Sequence, residues 1–144
     1  MQNTRLLRRL AAIVYDMLLV AALLFLATIP FIALRGGKPV EVDSNQLYQL
    51  ALVVVIYTFF VGFWVSKGRT LGMQSWGLQI ESRNGATPTL AEANIRFFAA
   101  ILSWLPLGLG FLWQLLDSDK LTWHDRLSGT RLVYYPRNAD DQQR

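Results

Sequence analysis

The sequence predicts an all-α membrane protein: two transmembrane helices, a third hydrophobic helix that is interrupted, and a small cytoplasmic β element. Three observations carry this expectation. Apolar runs at Leu10–Leu34 and Leu47–Val65 reach the roughly 20 residues a helix needs to cross a bilayer. A third block, Ile95–Leu116, is equally long but is broken at its centre by Leu105-Pro-Leu-Gly-Leu-Gly110, a poor helix interior. Hydrophobic residues make up 53% of the chain and charged residues 17%, against about 25% charged in soluble domains.

The first run is rich in leucine and alanine, whose favourable insertion offsets one embedded charge. That charge is Asp16. An ionisable group at the bilayer centre costs roughly 2.5–3.5 kcal/mol, so a partner or a task is expected for it. Arg9 precedes Asp16 by almost two helical turns, and the two side chains project from nearly one face. The backbone rise between them is about 10 Å, so a direct bond is not required, and Arg96, Arg126 or Arg131 would serve as partners. Pro30 is expected to kink or end this helix. The basic start at Arg5, Arg8 and Arg9 imitates a secretory signal, yet the run exceeds the roughly 7–15 residues of a signal core and Asp16 interrupts it. An uncleaved first span is expected.

The loop from Arg35 to Asn45 holds turn-forming residues, and its two bases and two acids cancel. In the second span Tyr48, Tyr57 and Trp64 give the pattern of an interfacial aromatic belt. Ser66–Gly77 is too polar and glycine-rich to span, and reads as a short helix at the membrane surface. Its Gly68 and Gly72 suit turns and close backbone approach. Leu78-Gln-Ile-Glu-Ser alternates as a strand, and Asn84-Gly85 is a type I′ hairpin signal. Thr87–Thr89 would be the return strand, held to a sheet edge by Pro88. Thr130–Tyr135 reads as another strand. Residues 5–135 thus form a single membrane domain, and 137–144 a disordered polar tail.

The net charge is +4 and the pI about 9.8. The bases flank hydrophobic blocks instead of forming one stripe, so they read as topology signals and lipid-headgroup contacts, with no nucleic-acid partner. Arg5, Arg8 and Arg9 place the N-terminus in the cytoplasm, and Lys67, Arg69, Arg83 and Arg96 belong there too. A single crossing by the third block would put Lys120, Arg126, Arg131 and Arg137 outside. Re-entry at Pro106–Gly110 would keep them inside, and is preferred over a simple third span. There is no cysteine, which excludes disulfides and thiolate metal sites.

An arginine opening the first helix, an aspartate seven residues on, and the ending Asp125-Arg-Leu-Ser-Gly-Thr-Arg-Leu-Val resemble the RDD family of bacterial membrane proteins. The family's arginine and two aspartates map onto Arg9, Asp16 and Asp125. Thr70-Leu-Gly-Met-Gln-Ser-Trp-Gly-Leu-Gln-Ile is similar to the family's Thr-x-Gly-Lys-x-x-x-Gly-Leu-x-Val stretch, with Met73 at the lysine position. Arg96 matches a further arginine, and Ser128 stands where alanine is frequent. The resemblance implies a multi-pass protein of the bacterial cytoplasmic (inner) membrane, with a suggested role in transport.

Two functions are open. In the leading one, a buried network of Arg9, Asp16 and Asp125, supported by Arg96, His124, Arg126 and Arg131, serves a small transporter or channel-like component for ions or small solutes. Asp16 would then bind a cation or exchange a proton, and a homo-oligomer or partner membrane subunit is needed to enclose a path. In the alternative the same network is structural glue in a non-transporting assembly or scaffold protein. One histidine and no cysteine make a metal site improbable, and no nucleophile motif accompanies His124-Asp125. No enzyme activity, cofactor or metal is expected. His124 is expected to cap or orient the adjacent turn, and its ordinary pKa of about 6.5 would suit a pH sensor.

Overall fold

The computed structural model describes residues 2–135, with side chains described from Leu6 onward. The tail at 137–144 lies outside the described residues. Among the described residues two helices are long and apolar enough to cross a membrane: α1 (Gln2–Leu34) and α2 (Gln46–Lys67). Their large apolar side chains face outward, among them Leu18 at 68% and Phe25 at 72% exposure. Continuous apolar surface of this kind is a liability in water and suits hydrocarbon. α1 runs through Pro30 to Leu34 and does not stop at the proline. Only one short turn follows Pro30, so the ring removes a single backbone bond close to an end that would fray in any case.

Asn45 caps α2 by accepting a hydrogen bond from the Tyr48 amide at 3.0 Å. At its other end Gly68 adopts the left-handed conformation, φ 66°, that stops the helix. Its absent side chain also admits the Ile80 carbonyl, to which a Cβ would stand 2.9 Å away. The short helix α3 (Leu71–Ser75) follows, capped by Thr70, and leads into β1 (Leu78–Ser82).

α4 (Leu90–Trp104) opens with a reciprocal capping box between Thr89 and Glu92. The chain turns at Ser82–Gly85, closed by the Gly85 amide on the Ser82 carbonyl at 3.0 Å, but φ is positive at Gly85 and not at Asn84, so the turn is not type I′, and Thr87–Thr89 makes no return strand. Thr89 is drawn into the helix cap, and Pro88 lacks the amide a ladder requires. β1 instead pairs antiparallel with β2 (Thr130–Tyr134), in register from Leu78 opposite Tyr134 to Ser82 opposite Thr130.

After Trp104 the chain turns at Pro106–Gly108 into α5 (Leu109–Leu112) and a 3-10 turn at Trp113–Leu115, bent by 108° from α4. Gly110 permits the fold-back, because a Cβ there would stand 2.5 Å from the Ser103 side chain. Phe111 then packs on His124 of α6 (Trp123–Ser128), ring centroids 4.8 Å apart. β1 enters the third hydrophobic block and β2 leaves it, yet the two strands are hydrogen-bonded to each other. Both flanks of the block therefore stand at one end of the molecule.

The core gathers at that end, where Val61 and Trp64 of α2, Ile80 of β1 and Ala93 of α4 are buried together. Arg8 of α1 lies over the Tyr134 ring at 4.0 Å. The start of α1, the end of α2, the sheet and α6 are thus neighbours. The far ends of α1 and α2 are joined by a hydrogen bond of 2.9 Å between Thr28 and Tyr48.

Candidate functional site: two buried carboxylates at one cleft

Asp125 is the third residue of α6, and the turn that presents it is written locally. Thr122 is the N-cap: its hydroxyl accepts from the Asp125 amide, and the Asp125 carboxylate accepts from the Thr122 amide at 3.2 Å. Two arginines reach the same carboxylate from distant elements. Arg9 of α1 donates to Oδ2 at 2.9 Å and Arg96 of α4 to Oδ1 at 2.5 Å. Arg96 also donates to the Thr130 hydroxyl at 2.9 Å, and its guanidinium lies 5.5 Å from the Trp64 ring. Asp125 is wholly buried. Burial alone would raise its carboxyl pKa, but the charges of Arg96 and then Arg9 outweigh this and hold it below the ordinary carboxylate range. Two guanidiniums against one carboxylate leave one positive charge over.

Asp16 is equally buried, at 2% exposure, but it does not join these ion pairs. Its Oδ2 accepts from the Thr70 hydroxyl at 2.5 Å and its Oδ1 from the Gly72 amide at 2.8 Å. The expected cationic partner is replaced by neutral donors from the start of α3. Among the described residues no arginine or lysine makes an ion pair with it. Gly72 is required by this geometry, since a Cβ would stand 2.4 Å from the Ala12 carbonyl and 2.8 Å from the Asp16 carboxylate.

His124 is buried beside the cluster. Thr122 Oγ1 accepts from the Asp125 amide and shares a hydrogen bond of 3.0 Å with His124 Nε2, in which the hydroxyl or the ring nitrogen donates according to the tautomer. Burial, followed by the charge of Arg96, pushes its pKa down to about 3. The ring is therefore neutral at physiological pH, and its approach of 3.9 Å to Asp125 Oδ1 is no ion pair. This corrects the expectation of a pH sensor near 6.5, since burial moves the titration of His124 far lower. Arg126 and Arg131 lie elsewhere. Arg126 pairs with Asp117 at 2.5 Å on the exposed side of α6, and Arg131 pairs with Glu81 at 3.3 Å along the sheet.

Arg9, Asp16, Arg96, His124 and Trp64 all line one cleft of about 440 Å³ between α1, α2 and α4. Apolar side chains form most of its remaining wall. Among the described residues no group of three or more His, Asp or Glu side chains could hold a metal ion. Sequence reasoning had missed Thr70, Gly72, Thr122, Thr130 and Trp64 as members of the site. Thr122 was legible, because Thr-x-x-Asp before a helix is a capping pattern. The others act through long-range contacts.

A helical membrane protein with a small sheet at one end and a buried Arg–Asp–Arg cluster is the class that this fold and site define. The RDD family's sequence profile matches residues 4–129. The chain belongs to the RDD family. It is also 34% identical over 90 residues to an uncharacterized protein of Rickettsia prowazekii (strain Madrid E), covering 62% of this chain. The match spans about half, 50%, of that relative's length. No solved structure matches the chain.

Proposed function

We propose that the protein is a non-transporting membrane assembly protein, in which the Arg9–Asp125–Arg96 cluster is a fixed clamp holding α6 and β2 against α1 and α4. The saturation of Asp125 carries this reading. Oδ1 takes Arg96, and Oδ2 takes Arg9 and the Thr122 amide. A group that handles ions must exchange partners, and releasing Asp125 would leave two guanidiniums buried without a counter-charge. The mainly apolar wall of the cleft also favours the clamp over an ion path, which needs a polar lining. Two crossings and an interrupted helix enclose no path alone. The exposed apolar faces of α1 and α2 would be covered by lipid and by a second copy or another membrane subunit.

One observation favours the transport reading: Asp16 lines the same cleft as Arg9 and Arg96, where a carboxylate could take up a cation or proton. Purified protein in liposomes under a pH gradient separates the two. Flux of monovalent cations and protons at the level of empty liposomes is expected. Flux that disappears in Asp16→Asn, with folding intact, would establish transport and overturn the clamp.

The orientation proposed is two crossings and one re-entrant segment in the bacterial cytoplasmic membrane, with the N-terminus in the cytoplasm. Support comes from charge. Among the described residues Arg8, Arg9, Lys67, Arg69, Arg83, Arg96, Lys120, Arg126 and Arg131 belong to the end carrying the sheet, and only Arg35 and Lys38 to the other. The chain has no native cysteine, so single introduced cysteines report cleanly. An impermeant thiol reagent should label Asp43→Cys in intact cells and Asp119→Cys only after lysis. Labelling of both in intact cells would refute re-entry.

A further inference from the structure

Buried N–H groups without acceptors are rare in folded proteins, and several at one place call for a physical account. Among the described residues four buried side-chain atoms lack a hydrogen-bond partner: Trp64 Nε1, Arg96 Nε, His124 Nδ1 and Gln114 Nε2. The first three belong to side chains lining the same cleft. Trp64 Nε1 and Arg96 Nε can only donate, and His124 Nδ1 donates in the tautomer whose Nε2 accepts from the Thr122 hydroxyl. The groups are close neighbours. The Arg96 guanidinium lies 5.5 Å from the Trp64 ring, and Arg96 and His124 approach one Asp125 oxygen at 2.5 and 3.9 Å. Beside them is the positive charge left over from Arg9, Arg96 and Asp125.

Two unused donors, joined by a third in one tautomer of His124, beside an uncompensated cation describe a receptor for an anion rich in acceptor oxygens. Asp16 lines the cleft too, but both its oxygens are engaged by Thr70 and Gly72, and it stands about 10 Å along α1 from Arg9. The rest of the wall is apolar and opens sideways. Met17, Val53, Phe98 and Ile101, from three helices, line the cleft and are about half exposed, at 45%, 58%, 60% and 49%. That rim faces the medium that covers α1 and α2, which is lipid. A volume of about 440 Å³ falls within the range of small-molecule sites.

We propose that this cleft binds one anionic phospholipid, drawn laterally from the bilayer. Its phosphate accepts from Arg96 and Trp64, and from His124 in the tautomer protonated at Nδ1, and one acyl chain lies along the apolar wall between α1, α2 and α4. The donors are covered by neighbouring side chains, so the headgroup reaches them as the rim side chains shift. Such rotamer changes are common on binding. The inference does not depend on whether the clamp serves assembly or transport.

The test is lipid retention by the full-length protein in mild detergent, read by native mass spectrometry. The probes are phosphatidylglycerol, phosphatidylcholine and inorganic phosphate. One phosphatidylglycerol per chain is expected, at about a tenth of the concentration needed for phosphatidylcholine. Trp64→Phe removes a donor and keeps the ring over Arg96. Ile101→Trp fills the apolar end without touching the clamp. Each should weaken phosphatidylglycerol retention about tenfold, the worth of roughly one good hydrogen bond or a blocked chain. Arg126→Gln, a base outside the cleft, should change nothing. Equal retention of both lipids, or equal losses in Arg126→Gln and Trp64→Phe, would overturn the proposal. Displacement by inorganic phosphate as effectively as by phosphatidylglycerol would replace it with a small-anion site.

Discussion

Asp125→Asn removes one charge and almost no volume, yet it strikes the point where three elements meet. Asn at this position keeps one acceptor oxygen for Arg9 or Arg96, and its amide would point at the other guanidinium. Arg9 and Arg96 have side-chain exposures of 11% and 3%, so neither can recover its hydration. Breaking a buried pair by removing one partner costs about 3–5 kcal/mol. That is a loss of roughly 100- to 4,000-fold in the folding equilibrium. The measurement is reversible unfolding in mixed micelles, followed by circular dichroism as a denaturing detergent is titrated in. Arg126→Gln is the internal comparison, because it breaks an ion pair whose arginine is 51% exposed, and it should cost less than Asp125→Asn. Adding Arg9→Gln to Asp125→Asn removes an already unpaired charge, so it should cost about 1–3 kcal/mol less than it does in the wild type. If Asp125→Asn lies within about 1 kcal/mol of wild type, or the two changes add simply, the cluster is not a buried clamp and the reasoning fails.

Further outcomes follow from the same geometry. Gly72→Ala drives a Cβ to 2.4 Å from the Ala12 carbonyl, so α3 must lift from α1 at a cost of about 1–3 kcal/mol. Gly62→Ala meets no atom within 4 Å and should be neutral or stabilising by up to about 1 kcal/mol; the same unfolding assay must rank the two in that order. Thr70→Val leaves Asp16 Oδ2 without its hydroxyl and should cost about 1–3 kcal/mol, and stability equal to wild type would mean that Asp16 has another partner. For His124, an imidazole titrating near 6.5 when unfolded and about 3 when folded contributes fully above pH 6.5 and loses that contribution as pH falls toward 3. At pH 5 the loss is about 2 kcal/mol, from 1.36 kcal/mol for each pH step below 6.5, and His124→Gln should abolish that part of the pH 7-to-5 difference. The carboxyl of Asp125 is held below its ordinary 3.8, and its contribution is lost only as pH falls below that value, so between pH 7 and 5 the histidine acts without it. An unchanged slope in His124→Gln would place the histidine in contact with water.

The membrane spans and the break in the third block were legible because they depend on runs of neighbouring residues. Leu47–Val65 needed two residues more at its end and one at its start to match α2. The hairpin expected at Asn84-Gly85 failed for a local reason that could have been read: Thr89-Leu-Ala-Glu92 is a capping box, and it competes for the residues of the return strand. Asp16 was recognised as exceptional, but its partners were misjudged. A buried carboxylate invites a search for bases. The fold answers it with a threonine and a glycine amide, because the close approach of α3 to α1 leaves room for nothing larger.

Taken alone, the sequence determined that this is a membrane protein, which segments are long and apolar enough to cross, and which ionisable residues are unusual, since hydropathy and capping are set within a few residues. Only the tertiary structure decided which carboxylate meets which cation. Arg9 and Arg96 reach Asp125 across 116 and 29 residues of chain, and nothing in local spacing ranks those arginines above Arg126, which sits beside Asp125 and faces away. The choice is made when α1, α4 and α6 pack together. A buried charge accepts whichever partner the packing leaves within hydrogen-bonding reach, and that reach is a property of the assembled helices.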